Sequence, residues 1–526
     1  MPVARRVADA AAGPGADGPA FVMDDVAVTH RQLALRAAAV AAGLRTVPAR
    51  RRDWLTADAR LLAIATGNHP VFAELFTGGT AGDGACAVLD PQWGVRQAEA
   101  VLTRLRPDLL VVGDEGSALR GPAAALGVPV LVADGGPDGY EAWREAHQPA
   151  GFQGLLTVGQ DGSAFLVGFT SGTTGVPKAF RRSRGSWRAS LALGRTAWGM
   201  DATRHTFAPG PLAHGLSLYA LAECLEAGAA FHGLTRFGGG AFAERLAAGS
   251  VRRLVVAPTM LSALCSAAGD RRFPGVDHVV TGAARLPPEL LPPAARVLPA
   301  ARVTEYYGAS ELGFVTRREL GPLPQAARRA GQDDEPDVGT AFPGVELAVR
   351  DEKGAALPAG GTGTVWVRTP LACDGYLWGD GGFRTEDGWA TVGDLGRLGS
   401  DGRLRLAGRG GMVITGGLNV YLAEVEQALT ALPGIDQALV TGVPDDYLGR
   451  ALVAVVTGPG VAGLSQARLR ELCRPSLARY KVPRRLYTLD AWPLTASGKI
   501  ARGVVEGWIA DAGPRLVPLP PGDDDG

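Results

Sequence analysis

The stretch Phe165-Leu166-Val167-Gly168, followed after Phe169 by Thr170-Ser171-Gly172-Thr173-Thr174-Gly175-Val176-Pro177-Lys178, decides how the rest of the chain is read. The first part is a short apolar strand candidate, and the second is a loop of hydroxyls and glycines that ends in a cation. Glycines let backbone N–H groups turn toward an anion, hydroxyls add donors, and a terminal lysine neutralises charge, so the loop suits phosphate oxygens. A motor-type P-loop needs Gly-Lys-Ser/Thr. Here Pro177 precedes the lysine and Ala179 follows it, leaving no hydroxyl at that point to hold magnesium, so the motor reading is excluded.

On either side of it, helical patterns such as Arg31 to Gly43 and Gln97 to Leu105 alternate with short β-rich runs at Leu109 to Val112, Val128 to Val132 and Arg253 to Val256. That alternation predicts an α/β chain with parallel-rich sheets covered by helices. From about Val338 the texture turns to β-segments, Val345 to Arg350 and Thr364 to Arg368, which predicts a β-rich subdomain. After Gly408-Arg409-Gly410-Gly411, the runs Glu424 to Leu432, Ala438 to Val443, Ala451 to Thr457 and Gln466 to Leu477 read as a small, mobile α+β C-terminal domain. The expected division is 1–408, 409–515 and a disordered Pro- and Asp-rich tail over 516–526. At 526 residues the chain is past the size at which a single core stops growing.

The 53 basic and 53 acidic residues cancel with no long charge run, so neither nucleic acid nor an anionic membrane surface is suggested as a partner. Cys86, Cys224, Cys265, Cys373 and Cys473 lie too far apart for a zinc or disulfide spacing and fit a reducing cytoplasm. No apolar stretch reaches membrane-spanning length, and Asp9 with the Gly/Pro-rich stretch behind it interrupts any signal-peptide core. The expectation is a cytoplasmic protein acting on a small molecule, as a monomer or homodimer.

The loop 170–178 resembles the phosphate loop of the adenylate-forming superfamily, which includes acyl-CoA synthetases, nonribosomal-peptide adenylation domains and luciferases. Tyr306-Tyr307-Gly308-Ala309-Ser310-Glu311 resembles that family's Tyr-Gly-x-Thr-Glu motif, with Ser310 keeping the hydroxyl. The resemblance implies that Tyr307 stacks on adenine and Glu311 coordinates Mg2+. Alone, a Tyr-Tyr-Gly stretch is more often a packed strand end. Gly282-Ala283-Ala284-Arg285-Leu286 resembles the small-residue turn bordering the adenine and acyl pockets, and Asp394 and Arg409 match the residues that bind the ribose. Thr495-Ala496-Ser497-Gly498-Lys499 resembles the C-terminal loop whose lysine stabilises the transition state, which makes Lys499 the catalytic candidate beside Thr170 and Glu311. Pro211-Leu212-Ala213-His214-Gly215 resembles the segment that gates the acyl pocket, with His214 and Gly215 beside Gly282 and Gly308. A lone histidine in an apolar stretch is more often a satisfied core residue. Ala20 to Leu44 and Leu61 to Asp90 resemble the family's N-terminal helix and first nucleotide-fold segments.

The resemblance therefore implies ATP, Mg2+ and coenzyme A as cofactors, and adenylation of an acid followed by transfer to a thiol. Gly416 and Gly417, in Thr415-Gly416-Gly417-Leu418-Asn419-Val420-Tyr421, resemble the thiol-facing loop of acyl-CoA synthetases. The hinge segment Arg409-Gly410-Gly411-Met412 is one residue shorter than the family pattern. Gly215 stands where peptide-synthetase domains place the aspartate that pairs with an α-amino group, which argues against an α-amino acid. The alternatives left open are loading of a separate carrier protein, activation of an unusual oxyanion such as nitrite, and a catalytically silent nucleotide-binding scaffold.

Overall fold

A computed structural model describes residues 3–170, 176–330, 337–351, 353–379, 382–408, 411–493, 500, 502–511, 513 and 515–522. The chain forms two compact units, one over 1–91, 102–170 and 178–408, the other chiefly over 409–526.

Two sheets dominate the first unit. The seven-stranded sheet has five parallel strands in the order Ala164–Thr170, Ala85–Val88, Leu61–Ala65, Leu109–Val112, Val130–Val132. Lys178–Ser183 and then Gly375–Trp378 extend it antiparallel at one edge. The nine-stranded sheet has six parallel strands, from Pro19–Met23 through Phe231–Gly233, Thr206–Phe207, Arg253–Val256 and His278–Thr281 to Arg302–Ala309, with antiparallel strands closing both ends. The inner strands are buried along their length, as strands covered on both faces must be: Leu61–Ala65 and Arg253–Val256 present every residue to the interior. The predicted β-rich subdomain is a six-stranded sheet in which Glu346–Arg350 pairs antiparallel with Thr362–Arg368. The expected α/β architecture with parallel-rich sheets is the one found.

One expectation is corrected at the N-terminus. The segment from Ala20 does not begin a helix; Pro19–Met23 and Val26–Thr29 form an antiparallel hairpin, turned at Asp24 with φ +49°. The helix starts only at His30, where Thr29 accepts from the Gln32 amide and the Gln32 side chain accepts from the Thr29 amide.

In the second unit, Gln437–Asp445 and Gly449–Thr457 pair antiparallel, and Arg485–Thr488 adds parallel to the latter. Lys481 and Glu424 form a buried ion pair at 2.6 Å. The tail expected to lack structure from 516 does not do so in its described part. Val517–Pro518 pairs with Tyr487–Thr488 and Leu519 is buried, because the outer edge of Arg485–Thr488 offers unpaired backbone groups that the tail satisfies. Among the described residues no helix is long and apolar enough to cross a membrane.

Candidate active site

The candidate site lies where the antiparallel ends of the two large sheets and the six-stranded sheet meet. Ala164–Thr170 is buried through Gly168, whose missing Cβ leaves room for the Phe180 ring on the returning strand. The strand ends on Thr170, directly across from Lys178, which is only 3% exposed. Gly379 covers the lysine stem: at φ +86°, a Cβ there would stand 2.8 Å from Lys178 Cγ. Ser171, Gly172, Thr173, Thr174 and Gly175 lie outside the described residues, as do Arg409 and Lys499.

The second wall is the strand Arg302–Ala309. Successive side chains on a strand point to opposite faces, so the two tyrosines separate. Tyr306 turns into an aromatic cluster, edge-to-face with Phe314 at 5.0 Å and near Trp198 at 6.2 Å, and burial holds its hydroxyl well above the ordinary phenol range. Tyr307 faces the other way and donates to Asp394 Oδ2 at 2.5 Å. The packed strand end expected of Tyr-Tyr-Gly is thus Tyr306, while Tyr307 is the tyrosine turned toward Asp394. At Gly308, where the register with the neighbouring strand shifts, any Cβ would overlap the Gly313 carbonyl.

Asp394 sits in a turn that is fixed from behind. Thr391 Oγ1 donates to the Val365 carbonyl at 2.7 Å and accepts from the Gly393 amide at 3.0 Å, while Val365 N donates to the Asp394 carbonyl at 2.8 Å. Gly393 itself is at φ +80°.

Glu311, 4% exposed, follows the strand end. Its Oε1 accepts from the Tyr376 hydroxyl, and that hydroxyl is also 3.3 Å from Thr170 Oγ1. Cys373 N donates to the Glu311 carbonyl at 2.7 Å, and the buried Arg182 donates to the Ser310 carbonyl at 3.4 Å. Burial lowers the pKa of Arg182, and Cys373, Tyr219, Asp374 and Glu311 partly offset that effect. Among the described residues no three His, Cys, Asp or Glu side chains are grouped as a protein-only metal site. A single buried carboxylate is what Mg2+ takes when substrate phosphates complete its shell, so Glu311 fits that ion.

The turn after His278–Thr281 places Gly282 against the Tyr306 ring, which a Cβ would approach to 2.7 Å. Ala283 is exposed and held at φ +67°, a left-handed conformation costing about 1–2 kcal/mol for a residue with a Cβ. Ala284 is half-buried beside it. The strain is held by Glu305, which accepts from the Leu286 amide at 2.7 Å and pairs with Arg318 at 2.7 Å.

His214 is the N-cap residue of the helix Gly215–Ala227, with Nε2 3.8 Å from Asp90 Oδ2. Its loop is pinned by Asn68, which accepts from Leu212 N at 2.7 Å and donates to the carbonyls of Gly210 and Leu234. In the second unit, Gly416 and Gly417, at φ +57° and +82°, form the two-residue turn of the hairpin Met412–Thr415/Leu418–Tyr421. Hairpins of that length favour positive φ at both turn positions, so the turn itself accounts for the glycines.

Sequence reading missed Tyr376, Asn68, Asp90 and Arg182. None carries a local signal: Tyr376 follows a turn in a stretch without period, and its partners Glu311 and Thr170 are 65 and 206 residues away.

Comparison with known proteins gives two matched families, AMP-binding enzyme over residues 7–377 and AMP-binding enzyme C-terminal domain over 424–499. An uncharacterised acyl-CoA ligase of Bacillus subtilis (strain 168) is 31% identical over 466 residues, 88% of this chain and 91% of that protein. A putative long chain fatty acid-CoA ligase of Staphylococcus epidermidis is 30% identical over 338 residues, 64% of this chain and 69% of that one. The structure of an amide bond synthetase from Marinactinospora thermotolerans superposes with a TM-score of 0.82 at 28% identity, covering 97% of this chain and 99% of its own.

Proposed function

Because this chain belongs to the AMP-binding enzyme family and is an AMP-forming ligase, we propose that it adenylates a carboxylic acid with ATP and passes the acyl group to coenzyme A. The relatives' names span long-chain acids and amide synthesis, so likeness alone fixes neither the acid nor the acceptor.

The observation that carries the reading is the Tyr376 hydroxyl, which touches both Thr170, the first residue of the phosphate loop, and Glu311. It ties the loop suited to phosphate oxygens to the carboxylate suited to their metal. In this reading Tyr307 and Asp394 take the nucleoside, and Thr170 and Lys178 with residues 171–175 take the phosphates. Glu311 would hold Mg2+, which would supply charge neutralisation on the phosphate oxygens. A carboxylate oxygen attacks the α-phosphorus and pyrophosphate leaves; Lys499 and Arg409 complete the site from the segment after 408. The thiol sulfur then attacks the acyl carbon, AMP leaves, and the thiol proton passes to solvent. Residues 1–408 serve as the ATP- and acid-binding domain, and 409–515 as the moving lid.

The test is acid-dependent pyrophosphate release with ATP and Mg2+, with and without CoA. Thioester formed only when CoA is present supports the reading, and release without thioester overturns the acceptor. Lys499→Ala lowers release by on the order of 10²–10³-fold with ATP binding retained; a wild-type rate in this variant removes the lysine's role. Likeness to the amide bond synthetase over nearly the whole chain favours an amine as the second acceptor to try, read out as amide product.

A further inference from the structure

Arg253, Arg318 and Lys481 are buried cations that rest on the buried carboxylates Glu223, Glu305 and Glu424, at 2.5, 2.7 and 2.6 Å. Arg182 is only 7% exposed and, among the described residues, pairs with no carboxylate. Its hydrogen bonds go to neutral groups: Nε to Ser186 Oγ at 3.2 Å, Nη2 to Ser190 Oγ at 3.1 Å and Nη1 to the Ser310 carbonyl at 3.4 Å. The two serines lie four apart on the helix Arg184–Trp198 and so share a face. Their own protons go to the carbonyls of Ser183 and Ser186, which leaves both oxygens to accept from the guanidinium. Arg184, the other buried arginine without a carboxylate among the described residues, differs in that it clamps the chain by donating to the carbonyls of Thr80 and Gly84.

A neutral donor would satisfy the acceptors around Arg182. A guanidinium there gives up its hydration without gaining an ion pair, which hydrogen bonding alone does not require. The charge itself must therefore act on something nearby.

What it faces is the phosphate and metal end of the candidate site. Lys178, Phe180 and Arg182 alternate along one strand and share a face of the sheet. Tyr376, paired opposite Phe180, donates to Glu311 Oε1 and lies 3.3 Å from Thr170 Oγ1. The dipeptide Ser310–Glu311 is thus held at one carbonyl by Arg182 and at the carboxylate by Tyr376. The acidic groups whose field reaches Arg182 are Cys373, Tyr219, Asp374 and Glu311. Burial holds the Cys373 thiol and the Tyr219 phenol neutral, and Asp374 already pairs with Arg181 at 2.8 Å. Glu311 is the carboxylate that remains.

We propose that Arg182 is the buried counter-charge of the phosphate and metal site, raising its affinity for polyphosphate and restraining its affinity for the metal ion. The inference rests on the adenylation reading above, in which Glu311 takes the metal and the loop 170–178 the phosphates. The signs separate it from a structural role. Loss of a positive charge weakens anion binding and strengthens cation binding, whereas a loosened turn at 310–311 weakens both.

The experiment compares wild type, Arg182→Gln and Arg182→Lys, none of it requiring an acid substrate. By calorimetry without metal, Arg182→Gln, which keeps a donor for the serines and loses the charge, binds ATP about tenfold more weakly. Its affinity for adenosine, which carries no phosphate, stays at the wild-type value. Arg182→Lys keeps the charge without the planar fork and binds ATP within about threefold of wild type. Mn2+ titrated into the enzyme–ATP complex and followed by electron paramagnetic resonance binds about threefold more tightly to Arg182→Gln than to wild type. A folded Arg182→Gln that binds ATP normally, or that loses ATP and adenosine affinity alike, overturns the inference and leaves adenylation standing, as does weakened Mn2+ binding. If Arg182→Gln does not fold, Arg182→Lys decides alone: a tenfold loss of ATP affinity with the charge retained would show that the fork matters and the charge does not. Folded wild type that binds no ATP, with or without metal, removes the adenylation reading and this inference together.

Discussion

Two tyrosine hydroxyls donate to two carboxylates in this site, and the pairs differ in what they join. Tyr307 and Asp394 link a strand of the nine-stranded sheet to a turn beside the six-stranded one. Tyr376 and Glu311 link the added edge strand of the seven-stranded sheet to the end of the nine-stranded one, with Thr170 as a third member. The first pair spans the proposed nucleoside site, where ligand hydroxyls compete for the carboxylate. The second sits at the proposed phosphate and metal site, so under that proposal its geometry matters through the chemical step. If the comparison is sound, damage to the second pair appears in rate and damage to the first in ATP affinity.

The largest effect is expected from Glu311→Gln. Removing the charge that holds Mg2+ lowers the adenylation rate by on the order of 10²–10³-fold, while ATP binding measured by calorimetry without metal stays near wild type. A variant that adenylates normally in single-turnover acyl-AMP formation would strip Glu311 of its role.

Asp394→Asn comes next. The carboxylate accepts charge-assisted hydrogen bonds worth about 1.5–3 kcal/mol, which is about 10–100-fold in affinity. The loss belongs in the Kd and KM for ATP, with kcat at saturating ATP little changed. A fall in kcat at unchanged KM would reverse the assignment of the two pairs.

Legibility from sequence divides along the same comparison. Thr170 and Lys178 stand in a run whose composition is unusual, whereas Tyr307, Glu311 and Asp394 are legible only through the family motifs that their segments resemble. The inner strands and covering helices were readable because burial on both faces writes continuous apolar runs. Tyr376 could not be found, because its meaning lies in an edge strand that pairs Tyr376 with Phe180 across nearly two hundred residues. The hairpin at Pro19–Thr29 is masked by the alanine-rich helix that follows it, although Asp24-Asp25 between the valine-bearing runs 19–23 and 26–29 is itself a turn signal.

Tyr376→Phe keeps the ring, which packs edge-to-face on Phe383 at 6.2 Å, and deletes one donor to Glu311. A hydrogen bond of this kind is worth about 1 kcal/mol net, so the rate falls about fivefold. Because Tyr376 acts through Glu311, the fall is accompanied by a rise in the Mg2+ concentration giving half-maximal rate. A loss of rate with an unmoved Mg2+ titration would make Tyr376 a packing residue only.

Tyr307→Phe is the smallest expected change and the sharpest test of the comparison. In the free protein its hydroxyl occupies Asp394 Oδ2, an oxygen that ribose hydroxyls would also use. Binding ATP therefore exchanges one hydrogen bond for others. Deleting the phenol oxygen removes a competitor along with a contact, and the ring remains to stack. The two effects oppose each other, so the Kd for ATP stays within about twofold of wild type, each hydrogen bond being worth about 1 kcal/mol net. Should Tyr307→Phe weaken ATP as much as Asp394→Asn does, the hydroxyl belongs to the nucleotide contact itself, and the two tyrosine–carboxylate pairs do the same work on different halves of one ligand.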